Sequence, residues 1–475
     1  MGFLLRGPWQ RLCNNALLLA RLSYFCREMG IAGSMTSRIR SAAVTLIAAM
    51  LMLIPLWYNG TPLYYPDSMG YIFWGQLWEP VPERLSTYAV LIKFLSLGRD
   101  LWIPVLFQSL MAVWVLKRLW HRLLGEVHPP AFWLASALLG VLSPLGWTAA
   151  TLMPDLLCAL SSIFLFLMLY PGEGKKPAFT DLFLFAFCTS QHLSALMING
   201  SLLLLYMPFF LWKKEIPTRL PGLRMGFLGL VLSCLMIVSV NRMLSGRFFL
   251  SESGPAFLTA RLIETGIASR FLGQHPAKSS DFQAVKNQFP MPAERFLWAN
   301  SSPIKQLGGI HDDAGKLAAF NRAALSQPYN IYLFLKAGFK SGMKQFFLLD
   351  IGDGLGPASF PQLYFFPENQ AEHLTSKQKS GIDFEKLNNW CYALCGLVLL
   401  IAITGLRQES PTLPMKNMAV FILFLLFMNA LINGALSTPL SRYQVRVSWL
   451  VYFWLIAFNV RFIQIKLPSN FDFSR

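Results

Sequence analysis

Charge is scarce along this chain. Only 14% of its 475 residues are Asp, Glu, Lys or Arg, whereas 54% are hydrophobic, a balance that excludes an ordinary soluble domain. Acidic residues are the scarcer sign, 24 against 41 basic ones. A surplus of 17 positive charges can signal nucleic acid. Here, however, the basic residues stand beside hydrophobic runs and form no extended basic, aromatic-interleaved stretch, so nucleic acid is not the expected partner. The seven cysteines include no pair in an expected outer loop. Cys13 and Cys26 precede the first hydrophobic run, while Cys158, Cys188, Cys234, Cys391 and Cys395 lie inside later ones, so no structural disulfide is expected. Internal repeats and regular strand patterns are also lacking.

Long apolar runs are abundant instead. With roughly 17–25 residues needed to cross a bilayer, the sequence predicts an all-α polytopic membrane protein with about ten spans. They fall near 41–57, 101–116, 131–152, 156–170, 182–192, 195–212, 225–243, 387–406, 417–436 and 445–460. The fifth is short and runs into the sixth through "TSQHLS", which predicts a broken or shallow helix pair. Lys and Arg concentrate in 1–40, 117–130, 171–181, 213–224, 407–416 and 461–475. These segments are therefore expected in the cytoplasm, with both termini inside.

This frame divides the chain into a basic N-terminal tail (1–40), seven spans with a first outer loop at 58–100 (41–243), an outer segment (244–386), three further spans (387–460) and a C-terminal tail (461–475). The N-terminal tail suits a helix on the inner membrane surface; an overlong start, with Met29 or Met35 as the first residue, is the other account. The outer segment is expected to form a lid over a membrane-facing cavity. Its stretch "YNIYLFLKAGFKSGMKQFFLLD" places Ile331, Phe334, Leu335 and Phe339 on one helical side and Lys336, Lys340 and Lys344 on another, a pattern that suits the membrane interface. His311, Asp312 and Asp313 have metal-ligand chemistry, but adjacent acids in a Gly-rich loop are usually solvated.

Three short motifs face the expected outer side. In "YYPDSMGY" Pro66 restrains Tyr65 toward extended geometry, so a helix begins there with Asp67 or Ser68 as its cap. In "TLMPDLL" Asp155 also follows a proline, at the start of the fourth span, and ionisable groups at membrane depth mark sites by default. A helix cap is the plainer account of either acid. In "LSRYQVRVSW" Arg442, Tyr443, Gln444 and Arg446 stand at the start of the last span, where interface anchoring is the competing account.

In order and topology these motifs resemble the multi-spanning GT-C glycosyltransferases, such as the bacterial relatives of protein mannosyltransferases and of aminoarabinose transferases. The resemblance implies a GT-C-like fold and a sugar donor carried on a polyprenyl phosphate. It also implies transfer on the outer side of the membrane, here to an envelope glycan or lipid acceptor. One departure is that Ser68 follows the first-loop acid where the protein mannosyltransferases carry a second acid, and no module identifies an acceptor.

Under that resemblance Asp67 is the expected general base and Asp155 orients the acceptor or the sugar. Arg442, then Arg446, with Tyr443 and His192, bind the donor phosphate, since a guanidinium fork holds phosphate oxygens better than a point charge. No cofactor is specified; a divalent metal beside Asp67 stays open because no His/Cys spacing argues for one. The competing classes are a transporter or flippase of an envelope lipid, for which related halves are expected, and a polysaccharide polymerase or ligase.

Overall fold

A computed structural model describes residues 37–466 apart from 126–127, 173, 276–279 and 311–313. Residues 1–36 of the tail, the cluster His311, Asp312 and Asp313, and residues 467–475 lie outside the described residues.

The regular structure of the described residues is helical, apart from a single isolated parallel bridge between Leu63 and Thr151. Six helices are long and apolar enough to cross a membrane: Trp102–Leu124, Leu193–Trp212, Ile216–Ser245, Phe384–Gln408, Leu413–Leu436 and Ser441–Ile463. A seventh candidate is the pair Pro129–Leu142 and Pro144–Ala150, bent by 77°. Pro144 lacks the N–H that would continue the first helix, and Ser143 Oγ instead accepts from Leu145 N at 3.2 Å, so the kink has a local cause. The chain is an integral membrane protein.

Three of the ten expected spans form only shorter helices. Run 41–57 breaks into Ser37–Met52 and Ile54–Asn59, where Pro55 interrupts the ladder. Run 156–170 becomes Asp155–Leu169, buried at every residue, and run 182–192 becomes Phe179–Ser190. A helix of 15 residues rises only about 22 Å, short of a hydrocarbon core of about 30 Å. Asp155–Leu169 is surrounded by protein and ties to its neighbours through polar side chains. Ser162 Oγ donates to Asn199 Oδ1 at 2.9 Å, and Asn199 Nδ2 donates to Ser161 Oγ at 2.7 Å. Hydropathy sees this helix as a span because burial in protein and burial in lipid select the same residues.

Segment 244–386 divides into parts with different packing. Residues 256–324 enclose a small core of their own around Ile263, Ile267, Phe271 and Phe320, in which Phe282 stacks on Phe320 at 4.0 Å. The helix Pro328–Phe346 has three faces where its pattern predicts two. Ile331, Leu335 and Phe339 are indeed exposed, but a third face of Gly338, Gly342 and Gln345 is buried against Leu413–Leu436. A Cβ on Gly434 would stand 2.5 Å from the Gly342 backbone nitrogen, so only glycine permits this crossing, the small-residue packing that joins membrane helices.

Two buried side chains fix the turn after Leu413–Leu436. Arg261 donates to the carbonyls of Gly434 at 3.0 Å and Ala435 at 3.2 Å. Gln345 exchanges two hydrogen bonds with Leu440, at 2.8 and 2.9 Å. Residues 358–383 pack instead on the first loop. Glu372 accepts from Thr61 and Trp102, and Gln378 bonds both backbone groups of Tyr64. First loop and long segment thus meet at one end of the bundle.

Candidate active site

The two Pro-Asp stretches lie side by side. Leu63 N donates to Ala150 O and Leu152 N donates to Leu63 O, both at 2.9 Å. Ser68 completes the splint: its Oγ donates to Leu152 O at 2.9 Å and accepts from Tyr65 N at 3.0 Å. Tyr65 is extended, as a residue before proline should be, and the helix Pro66–Leu77 begins after it. Of the two candidate caps, Ser68 is the side chain that reaches back to the helix start. This leaves the Asp67 carboxylate to face Arg84 Nη2 at 2.5 Å and Arg442 Nη2 at 2.7 Å.

Asp155 begins the next buried helix, and its Oδ1 accepts from Arg446 Nη1 at 3.2 Å. Arg446 is fully buried. Its Nε bonds Asn429 at 3.2 Å, and its Nη2 bonds Ser194, Asn429 and Asn433 at 2.9 to 3.1 Å. Asn429 also donates to the carbonyl of Tyr443 at 2.6 Å. His192 caps Leu193–Trp212, accepting from Ser194 N at 3.2 Å, and its Nδ1 lies 2.8 Å from Ser194 Oγ. All six residues singled out in the sequence, Asp67, Asp155, His192, Arg442, Tyr443 and Arg446, therefore belong to one connected polar network. Their chain positions span 380 residues (446 minus 67, plus one).

The two arginines in the first two turns of the last helix differ. Arg446 has protein partners at Nε, Nη1 and Nη2, whereas Arg442 lies over the rings of Tyr65 and Tyr443, 5.3 and 5.1 Å from their centroids. Among the described residues its Nε has no hydrogen-bond partner, and Asp67 Oδ2, though near Arg442, lacks an aligned bond. A buried charge with unused donors is costly unless something else completes it.

Arg442, Arg446, Asp155 and Tyr65 line a narrow cleft whose opposite wall is Asp350, Ile351, Gly352 and Leu355. Its free volume of about 20 Å³ suits a water and is too small for a sugar. Gly354 in that wall has φ +82°, and a Cβ there would come within 2.7 Å of the Tyr65 ring. Glycine is therefore what lets the long segment close onto the first loop. Burial pushes the Asp67 carboxyl upward, but Arg442 and then Arg84 outweigh it and hold its pKa at about 2, below the ordinary 3.8. Among the described residues no three His, Cys, Asp or Glu side chains converge as a metal site.

No family model, no curated protein and no solved structure matches this chain. Sequence reasoning missed several members of the site, among them Arg84, Asn429 and Tyr65. Arg84 carried a usable signal, a guanidinium on the side where the charge rule leaves few basic residues. Asn429 sits inside an apolar run and Tyr65 beside a proline, and neither is distinguishable in sequence from a packing residue.

Proposed function

We propose that this protein is a membrane-embedded glycosyltransferase of GT-C type. It moves a sugar from a polyprenyl-phosphate-linked donor to an envelope glycan or lipid acceptor on the outer side of a bacterial inner membrane, with both termini in the cytoplasm. The observation that supports this reading is the Asp67 carboxylate held between two guanidinium groups, one of which has an unused Nε donor and lines a cleft at one end of the apolar helices.

In the reaction the acceptor oxygen bonds to the anomeric carbon as the bond from that carbon to the phosphate oxygen breaks. The acceptor proton passes to Asp67, and the electron pair leaves with the polyprenyl phosphate. Arg442 receives the charge that develops on the leaving phosphate. A carboxylate with a pKa of about 2 is a weak base, and this gives Arg442 a second role. When its guanidinium turns to the donor phosphate, Asp67 loses its strongest cationic neighbour and its basicity rises. Donor binding thereby activates the base. Asp155 and Arg446 hold the helices that present these groups, and Tyr65 and Tyr443 keep the Arg442 side chain between two ring faces.

The test is purified protein in lipid, supplied with a labelled polyprenyl-phosphate sugar and a mixture of envelope glycans and lipids. Acceptor-dependent release of polyprenyl phosphate is the expected result. Movement of the intact donor across the bilayer without release would instead place the protein among the transporters.

A further inference from the structure

A second cleft opens beside Arg84, the partner of Asp67 Oδ1. It lies between the first loop and the chain that follows Ile216–Ser245, lined by Pro82, Arg84, Arg247, Phe249, Leu250 and Glu252, among others. Gly246, with φ +75°, ends that long helix, and Asn241 Nδ2 donates to Phe249 O at 2.8 Å, folding the chain back to form the wall. The free volume is about 130 Å³, several times that of the cleft beside Arg442. Asp67 stands at the junction: its Oδ1 meets Arg84, which lines the second cleft, and its Oδ2 meets Arg442, which lines the first.

We propose that this second cleft seats the phosphate-bearing headgroup of an anionic amphiphile, which on the transferase reading is the acceptor. The wall combines two guanidinium groups with apolar surface. Arg247 is 70% exposed, pairs with Glu252 at 2.9 Å and lies 5.9 Å from the Phe249 ring centroid, while Phe248 and Leu250 beside it are exposed. Exposed apolar side chains next to arginines at the end of a spanning helix belong at headgroup level, where phosphate and acyl chain meet. A headgroup held by Arg247 and Arg84 brings its hydroxyls toward Asp67 from the Arg84 side, with the donor on the Arg442 side. Nucleophile and leaving group then flank the reacting carbon, as in-line displacement requires.

The test uses the full-length protein, delipidated in detergent and titrated with phosphatidic acid or phosphatidylcholine of the same chain length, with bound lipid counted by native mass spectrometry. Wild type should prefer phosphatidic acid. Arg247→Gln, at an exposed position where folding is safe, should weaken it roughly three- to tenfold and leave phosphatidylcholine unchanged. Glu252→Gln should tighten phosphatidic acid by releasing Arg247. Glycerol 3-phosphate, which has the phosphate without the chains, should compete only weakly. Absence of a phosphatidic acid preference, or equal affinity in Arg247→Gln, overturns the site, and equal competition by glycerol 3-phosphate overturns its lipid character. None of these measurements involves turnover. Selective binding in a protein that never releases polyprenyl phosphate would therefore sink the transferase reading while the cleft stands.

Discussion

The polar network has two halves built from the same residue types. In one, Asp155 and Arg446 are buried, and the guanidinium is surrounded by Asn429, Asn433 and Ser194 at bonding distance. In the other, Asp67 and Arg442 are each 17% exposed, their contact lacks an aligned bond, and Arg442 Nε bonds nothing among the described residues. Arg442 and Arg446 are one helical turn apart, so the backbone does not account for the difference; the surrounding side chains do. A saturated buried pair holds elements in register, and an unsaturated one at a cleft keeps capacity for a ligand.

The sharpest way to break this contrast is Asp67→Asn. Ser68 rather than Asp67 reaches back to the helix start, so the variant should insert and fold normally, yet lose transfer by roughly a hundredfold to ten-thousandfold, as expected when a general base is deleted. Turnover near wild type would make the Asp67 half as structural as the Asp155 half. Arg446→Ala should act on stability instead. Leaving Asp155 buried and unpaired is expected to cost about 3–5 kcal/mol, read as a lower thermal midpoint in detergent. An unchanged midpoint would show that the Asp155 half is not the structural one.

Arg442→Lys should leave the midpoint intact while slowing transfer roughly tenfold to a thousandfold and weakening donor binding, because an ammonium cannot offer two donors to one phosphate. Titration of the labelled donor checks this, and wild-type kinetics would return Arg442 to interface anchoring. The smallest effect concerns pH. Asp67 has its pKa depressed to about 2 from 3.8, so the stability from its ion pairs is present above the unfolded value and lost as pH falls through about 2. Arg84→Gln removes one lowering influence and should move the acid limb of stability to higher pH; a limb that stays in place would separate Arg84 from Asp67.

Much of the site could be read from sequence because polar residues are rare where helices are apolar. Asp155, Arg442 and Arg446 stood out against hydrophobic surroundings, and Pro66 and Pro154 marked where helices begin. The number of spans was not legible in the same way, since Asp155–Leu169 is as apolar as a lipid-facing helix while packed in protein. Nor was the third face of Pro328–Phe346, because glycines carry no hydropathy signal and Gly338 and Gly342 act by permitting approach. His192 was chosen as a ligand of the donor; its geometry is that of a helix cap joined to Arg446 through Ser194, a local role that hydroxyl and imidazole neighbours in sequence could have suggested.

The backbone splint between Leu63 and Ala150–Leu152 has a consequence for how such a protein can change. Both acids are spaced by main-chain bonds, whereas the facing wall, Asp350 to Leu355, is a separate turn pressed against Tyr65. The shape of the cleft can therefore change by exchanging that turn, much as a tool changes its jaw plate and keeps its hinge, with the spacing of Asp67 and Asp155 passed on unaltered.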